Sequence, residues 1–221
     1  MIWLGWEDSL TAMEVGMALV LAMADIAPNQ IKRATGRGAP GGAHTDFFKA
    51  TREAPNGPSA YLVHNGPARK STAHFHEVDQ FQIILEGKGT FGRHEVAPYN
   101  IHFARAFTPY GPLMSDKETG WTFITLRTCY DPGAQRMSTE AQKLRQIADR
   151  EPWQVHQKVI LPVVPGEGVD LQEVPKIKDD RGLCAYALTL APHTGTLAPD
   201  PSRGNGQFVL VTKGGLIYQG K

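Results

Sequence analysis

The 221-residue chain contains little cysteine and no block of like charge. Its two cysteines, Cys129 and Cys184, do not form a CxxC pair, which excludes a zinc ribbon and a dithiol redox motif. We expect both to be reduced thiols, buried in strands of a cytoplasmic protein. The formal net charge of +1, without a basic run, gives no electrostatic reason to expect binding to nucleic acid or to a membrane surface.

The chain also lacks an apolar run long enough to cross a bilayer. The N-terminal run GMALVLAMADIAP is short, and Ala22-Met23-Ala24 within it resembles a signal-peptidase site only weakly. Acidic residues and no Lys or Arg precede this run, which disfavours a signal peptide. We expect residues 1–24 to be a helical or disordered leader, with Met23 as an alternative natural start.

Glycine and proline are frequent instead, with 23 and 16 residues, and they separate short runs of β-branched or aromatic residues. This pattern predicts an all-β protein, either a sandwich or a small barrel. The predicted organisation is a leader and Gly/Pro-rich arm at 1–45, a barrel at 46–132, a helical linker at 133–155 and a second, partial β region at 156–221.

One helix is predicted, over residues 138–150. Thr139 and Gln142 have the spacing of a capping box, and Leu144, Ile147 and Ala148 form a narrow apolar stripe.

An internal echo connects the two β regions. QFQIILEGKG begins at Gln80 and QFVLVTKGG begins at Gln207, and each has a glycine seven positions after the Gln. The echo predicts duplication of a supersecondary unit. Pro201 and Arg203 stand where the first copy has histidines, so the second copy keeps the strand and lacks the imidazoles.

Two histidines, His74 and His76, precede the first copy. Residues i and i+2 of a strand point to the same side, about 7 Å apart, so both imidazoles can bind one metal ion. A turn at residues 77–79 would let Gln80 open the partner strand, with Gln82 on the same face as a substrate contact.

The opposite face of this partner strand carries Phe81, Ile83 and Leu85. That face is too apolar to stand in water, so we expect another layer or another subunit to cover it.

The stretch AHFHEVDQFQIILEGKG resembles the first motif of the cupin superfamily: His-x-His, three or four residues, Glu, six residues and Gly. The matching positions are His74, His76, Gln80 and Gly87, with glutamine in place of the glutamate. The resemblance implies a cupin-type jelly-roll barrel, and the echo extends this to a bicupin-like chain with an incomplete second half.

The second cupin motif is a Gly/Pro turn followed by the last histidine ligand. Pro109-Tyr110-Gly111 resembles its turn, and the ligand position falls on Tyr110 or Met114, where no histidine stands. His94 and His102 are near in sequence but out of place.

Family members commonly hold Fe, Mn, Ni or Zn with three histidines and one carboxylate. The resemblance therefore implies a divalent transition metal held by His74, His76 and Gln80. An amide oxygen is a weaker ligand than a carboxylate, because it brings no charge to neutralise the ion. A metal-free polar pocket, in which Gln80 hydrogen-bonds a neighbouring imidazole, is the alternative.

Three more residues are candidates for the site, each with a structural alternative. His102 either completes the site as a proton-transfer group or is structural. Tyr110 is a turn aromatic, a pocket wall or a proton donor. Arg127, in the apolar strand WTFITLRTCY, either binds a substrate carboxylate or pairs with Asp131, since a buried guanidinium needs an anionic partner. His44, His64, His156 and His193 are expected to be structural.

These residues support three hypotheses. The first is a metal-dependent enzyme of oxygenase or isomerase type. The second is a metal-free or weakly metal-binding module that holds a small molecule, and the third is a scaffold. Because a half barrel leaves sheet edges open, we expect the incomplete second half to pack against the first barrel or a partner, and we expect a homodimer.

Overall fold

The structure is a computed structural model, and it describes residues 2–5, 26–27, 30–33, 42–161, 168–197 and 206–217. The chain divides into two compact units, Met1–Val20 with Val159–Lys221, and Leu21–Lys158. Strands dominate both units, which confirms the predicted all-β class.

The described residues of the larger unit form thirteen strands and one helix. The strands are β2 (Ile31–Arg33), β3 (Gly42–Phe48), β4 (Ser59–Asn65), β5 (Lys70–Ser71), β6 (His74–Phe75), β7 (Gln80–Gly87), β8 (Gly89–Phe91), β9 (His94–Val96), β10 (Asn100–Ala104), β11 (Leu113–Ser115), β12 (Trp121–Arg127), β13 (Gln135–Arg136) and β14 (Gln154–Lys158), and the helix is α1 (Met137–Arg145).

Two antiparallel sheets form the barrel of this unit. The seven-stranded sheet has the order β14-β10-β7-β12-β4-β3-β2, and the four-stranded sheet has the order β5-β11-β8-β9. Strands β6 and β13 form a separate two-stranded ladder. The predicted boundary between linker and second region falls inside β14, which pairs with β10 of the barrel.

Apolar side chains from both sheets meet in one cluster, here called the barrel core. It consists of Ile84, Phe91, Val96, Ala104, Tyr110, Leu113, Trp121 and Phe123. Because side chains alternate along a strand, this cluster identifies the inward-facing positions of the strands that supply it. Gln80 and Gln82 share the inner face with Ile84 on β7, and Thr125 and Arg127 share it with Phe123 on β12.

The predicted hairpin between β6 and β7 is wrong. Strand β6 pairs with β13, whereas β7 lies between β10 and β12. The connecting residues are bonded to other segments: the Asp79 carboxylate accepts a hydrogen bond from the Ala106 N–H at 2.7 Å. These residues therefore cross from one sheet to the other rather than reversing the chain.

The expected face division of β7 is nevertheless present. Phe81 and Ile83 are fully buried, and the Phe81 ring packs on Phe103 with centroids 4.9 Å apart. Phe103 in turn contacts the Trp153 ring. The chain itself therefore covers this apolar face.

The backbone conformation at Gly87, the last residue of the His-x-His motif, requires glycine. Its φ is +71°, and a Cβ there would collide with the carbonyl oxygen of Gly120. Gly214, its counterpart in the second copy, also has a positive φ of +79°. The two motif glycines thus share a positive φ, while duplication stays a prediction.

Helix α1 is shorter than predicted, ending at Arg145 rather than at residue 150. Leu144 is its buried residue, and Ile147 and Ala148 lie beyond its end. The predicted capping box is wrong, because Arg136 is the N-cap residue and its side chain makes no capping hydrogen bond within the described chain. Helix formation here rests on the packing of Leu144.

The smaller unit is one antiparallel sheet with the order β15-β16-β1-β17. Its strands are β1 (Ile2–Gly5), β15 (Val169–Lys178), β16 (Cys184–Leu190) and β17 (Gln207–Leu210). The expected helical or disordered leader is thus wrong for residues 2–5, whose backbone pairs with β16 and β17 on its two sides. Most of the apolar run at 16–28 lies outside the described residues.

Two further expectations concern cysteine burial and membrane spans. Cys129 and Cys184, both described, form no disulfide and are partly exposed, so their expected full burial is wrong. Among the described residues, no helix has the length and apolarity that a membrane crossing needs.

Candidate functional site

The predicted site residues converge at one end of the barrel interior. A β-bridge joins His74 to Tyr110, with the Tyr110 N–H donating to the His74 carbonyl at 2.9 Å and the His74 N–H donating to the Tyr110 carbonyl at 3.1 Å. Tyr110 is therefore a buried residue of the site, 4% exposed, and the interpretation as a turn aromatic is wrong. The bridge places the two cupin-like motifs side by side.

A chain of hydrogen bonds connects His74, Tyr110 and Gln80. His74 Nδ1 lies 2.7 Å from the Thr72 carbonyl oxygen, which can only accept, so Nδ1 carries the proton and Nε2 carries the lone pair. The Tyr110 hydroxyl donates to that Nε2 at 3.1 Å and accepts from Gln80 Nε2 at 2.6 Å. Each of these polar atoms has a partner.

Arg127 links this chain to Asp131. Its Nε and Nη2 donate to Gln80 Oε1 at 3.2 and 2.8 Å, and its Nη1 donates to Asp131 Oδ2 at 2.8 Å. The predicted alternative for Arg127, a pair with Asp131, is present. The guanidinium also lies 5.5 Å from the centroid of the Tyr61 ring.

The second imidazole is held by the same carboxylate. His76 Nδ1 donates to Asp131 Oδ2 at 2.8 Å, which leaves the lone pair on Nε2. Arg127 Nη2 lies 3.1 Å from Nδ1 and 3.3 Å from Nε2, so the guanidinium rests against the imidazole ring. We call His74, His76, Gln80, Tyr110, Arg127 and Asp131 the Arg127 network.

Burial sets the charges of this network. It lowers the pKa of His76 to about 4, in spite of the Asp131 hydrogen bond, and it also lowers the pKa of His74. Burial raises the pKa of the Tyr110 phenol well above its usual range. Burial alone would raise the pKa of Asp131, but the His76 hydrogen bond and the Arg127 charge outweigh it and lower that pKa. At neutral pH the imidazoles and the phenol are uncharged, and Asp131 is ionised.

These residues do not fit the metal that the cupin resemblance implies. A divalent cation needs free lone pairs on its ligands, yet Gln80 Oε1 is taken by the guanidinium and His74 Nε2 by the Tyr110 hydroxyl. A positive guanidinium also lies 3.3 Å from His76 Nε2. Among the described residues, no group of three or more His, Cys, Asp or Glu side chains is placed to hold a metal ion.

His102 and Gln82 lie one step further along the inner face. They are paired in register on β10 and β7, and His102 Nδ1 lies 2.9 Å from Gln82 Oε1. The His102 and Tyr110 rings are 4.9 Å apart, but no hydrogen bond joins the His102 ring to the Arg127 network within the described chain. Burial lowers the pKa of His102 well below its usual value.

Sequence reasoning missed a stack of imidazoles beside His102. The His156 ring lies 4.3 Å from that of His102 at 12°, and the His94 ring lies 4.5 Å from that of His156 at 24°. His156 reaches this position because β14 pairs with β10 across more than fifty residues. No local pattern in QVHQK reveals this position, because four of its five residues are polar.

Comparison with known proteins gives similarities of fold. The chain is similar to the polyketide cyclase RemF from Streptomyces resistomycificus, with 19% identity over 60% of this chain and 95% of that chain and a TM-score of 0.44. It is also similar to a cupin-2 domain protein from Rhodospirillum rubrum, with 15% identity over 62% and 91% of the two chains and a TM-score of 0.42.

A third similar structure is oxalate decarboxylase from Bacillus subtilis, with 12% identity, 69% of this chain covered and a TM-score of 0.39. The chain spans 46% of that protein's length. No family model and no curated protein matches the sequence. The described strands confirm the predicted all-β class, and the cupin type of the barrel stays a prediction.

Proposed function

We propose that this chain is a metal-free cupin-fold protein that binds a small organic acid at Arg127. The observation that carries the proposal is the difference in exposure between the side chains of the network. The Asp131 side chain is 1% exposed, whereas those of Arg127 and His76 are 7% and 9% exposed. An entering molecule therefore meets a guanidinium edge and imidazoles, not the carboxylate.

The guanidinium suits a carboxylate for geometric reasons. It is planar and permanently charged, and it carries five N–H donors, of which Gln80 and Asp131 take three. Its ring contact with Tyr61 and its bonds to Gln80 hold it in one orientation. A guanidinium fixed in this way can bind an anionic ligand in the role that a metal ion would otherwise have.

A binding experiment tests this proposal. Calorimetric titration with acetate, butyrate, succinate and malate is compared between the wild type and the double variant Arg127→Gln/Asp131→Asn, which removes both charges together and leaves neither one buried alone. Arg105→Gln, at a surface ion pair with Glu151, is the matched control. Binding that is lost in the double variant and kept in the control supports the proposal, and equal binding by all three proteins refutes it.

One observation favours a second candidate, an isomerase-like enzyme that transfers protons without a metal. His76 is oriented by Asp131, carries its lone pair on Nε2 and is neutral at pH 7, so this nitrogen can accept a proton, as a weak base with a pKa of about 4. Tyr110, which stays protonated, is the matching acid in the same network. NMR in D2O tests this: exchange of carbon-bound protons of a bound acid by the wild type, lost in His76→Gln, would establish it.

We also propose that the chain forms a homodimer, because β15 and β17 are edge strands of their sheet among the described residues and an unpaired edge can bind another chain. Sedimentation velocity tests this at several protein concentrations. A monomer at all of them would refute it.

A further inference from the structure

Beside Arg127, the inner face of the barrel holds a buried hydroxyl that makes no hydrogen bond to the described part of the chain. Thr125 is 1% exposed, and its Oγ1 has no hydrogen-bond partner among the described residues. Burial raises the pKa of the neighbouring Tyr61 phenol, and Thr125 acts against that rise, although its hydroxyl does not meet hydrogen-bonding geometry with Tyr61. Leaving such a group unbonded is costly, so it marks a place where a water molecule or a ligand can bind.

Strand geometry places this hydroxyl next to the proposed anion site. Thr125 and Arg127 are two residues apart on β12, so their side chains leave the same face about 7 Å apart. The cross-strand neighbours of Thr125 are Gln82 on β7 and Tyr61 on β4. Gln82 is directed at His102, and Tyr61 lies beside the guanidinium.

We propose that Thr125 is the second anchor of the site and selects small hydroxy acids. This inference rests on the proposed function, in which Arg127 binds the carboxylate. With a hydrogen bond of about 2.8 Å to each anchor, the ligand's carboxylate and hydroxyl must lie close together, which fits a hydroxyl on the first or second carbon beyond the carboxylate. The ligand hydroxyl donates to Thr125 Oγ1 or accepts its proton, and the Tyr61 ring borders the path between the anchors.

Matched acids and one isosteric variant test this. The wild type and Thr125→Val are titrated with 3-hydroxybutyrate against butyrate, and with malate against succinate. We expect the wild type to bind each hydroxy acid about tenfold more tightly than its partner, because one buried hydroxyl gains a hydrogen bond. In Thr125→Val the ratio falls to about one, while the affinity for butyrate and succinate changes by less than about twofold.

The melting temperature of the free proteins gives an independent readout. Replacing an unbonded hydroxyl with a methyl group of the same shape leaves the protein as stable or more stable, so Thr125→Val melts at or above the wild-type temperature. Melting more than about 3 °C lower would mean that the hydroxyl is already hydrogen-bonded in the free protein, and it would overturn the inference.

The outcomes separate this inference from the proposed function. Equal affinity of the wild type for both members of each pair overturns the role of Thr125 and leaves the anion site at Arg127 intact. Failure of every acid to bind the wild type overturns both.

Discussion

The buried pair between Arg127 and Asp131 yields the sharpest prediction, made with the variants Arg127→Met, Asp131→Asn and their combination. In Arg127→Met, a carboxylate whose side chain is 1% exposed keeps its bonds from His76 and from the Gly133 N–H but loses its cation. Breaking one side of a buried ion pair costs about 3–5 kcal/mol, since the remaining charge is left without a counter-ion away from water. We expect each single variant to lose that much unfolding free energy.

The double variant removes both charges and therefore costs less than the sum of the two. We expect a coupling energy of about 2–3 kcal/mol between the two positions, measured by urea unfolding of all four proteins at pH 7.5. A matched control is the pair Arg105–Glu151, 2.7 Å apart but with the Glu151 side chain 65% exposed. Its double-mutant cycle should give less than about 1 kcal/mol.

Additive costs at Arg127 and Asp131, within about 0.5 kcal/mol, would refute this reasoning. Such a result would mean that the two charges do not depend on each other. The guanidinium would then not be held in the network by Asp131, and the description of the site as a closed ionic network would fail.

Three further predictions concern pH, the phenol and the helix. The pKa of His76 in the folded protein is about 4, below its ordinary value of 6.5. Between these two pH values the unfolded chain takes up a proton at His76 and the folded chain does not, so the stability contributed by neutral His76 is present above pH 6.5 and is lost as pH falls toward 4. Urea unfolding between pH 7.5 and 4.5 should show this decline, and a His76→Gln variant should show a shallower one. Tyr110→Phe leaves Gln80 Nε2 and His74 Nε2 without the hydroxyl that they bond, so it should lower the unfolding free energy by about 1–3 kcal/mol in the same assay. An unchanged unfolding free energy would contradict the hydrogen-bond chain. Arg136→Ser supplies the missing N-cap of α1 and should raise the unfolding free energy by about 0.5–1 kcal/mol, whereas a decrease would show that the Arg136 side chain has another role.

The barrel could be predicted because its signals are local. Short strand patterns separated by turn residues recur along residues 46–132, and the His-x-His spacing ends at Gly87, whose positive φ shows why glycine stands there. Pairings between distant strands carry no such signal. The turn predicted at 77–79 was wrong because Asp79 bonds to the Ala106 backbone, a partner that no local pattern reveals.

The sequence predicted which residues lie at the site better than it predicted how they bond to one another. His74, His76, Gln80, Tyr110 and Arg127 do lie together, while their roles in binding and catalysis stay predictions. The motif predicted a metal site because two imidazoles at positions i and i+2 of a strand can bind one metal ion. What the sequence could not show is that Arg127, at the far end of another strand, donates to Gln80 and lies against His76.

Strand β1 is a second element that depends on distant partners and so could not be predicted from local sequence. Residues 2–5 form a strand only because β16 and β17 pair with both of their edges. Sequence patterns within the first 24 residues contain no information about those partners, so a helical or disordered leader was the natural expectation.

The central claim is that a guanidinium, not a metal ion, is the cation of this site. Metal analysis by mass spectrometry tests it most directly, on untagged wild type and on His74→Ala/His76→Ala, after incubation with Fe(II), Mn(II), Ni(II) or Zn(II) and gel filtration. The account predicts that the wild type retains no more metal than the double variant. Near one equivalent of a transition metal in the wild type, absent from the double variant, would contradict it.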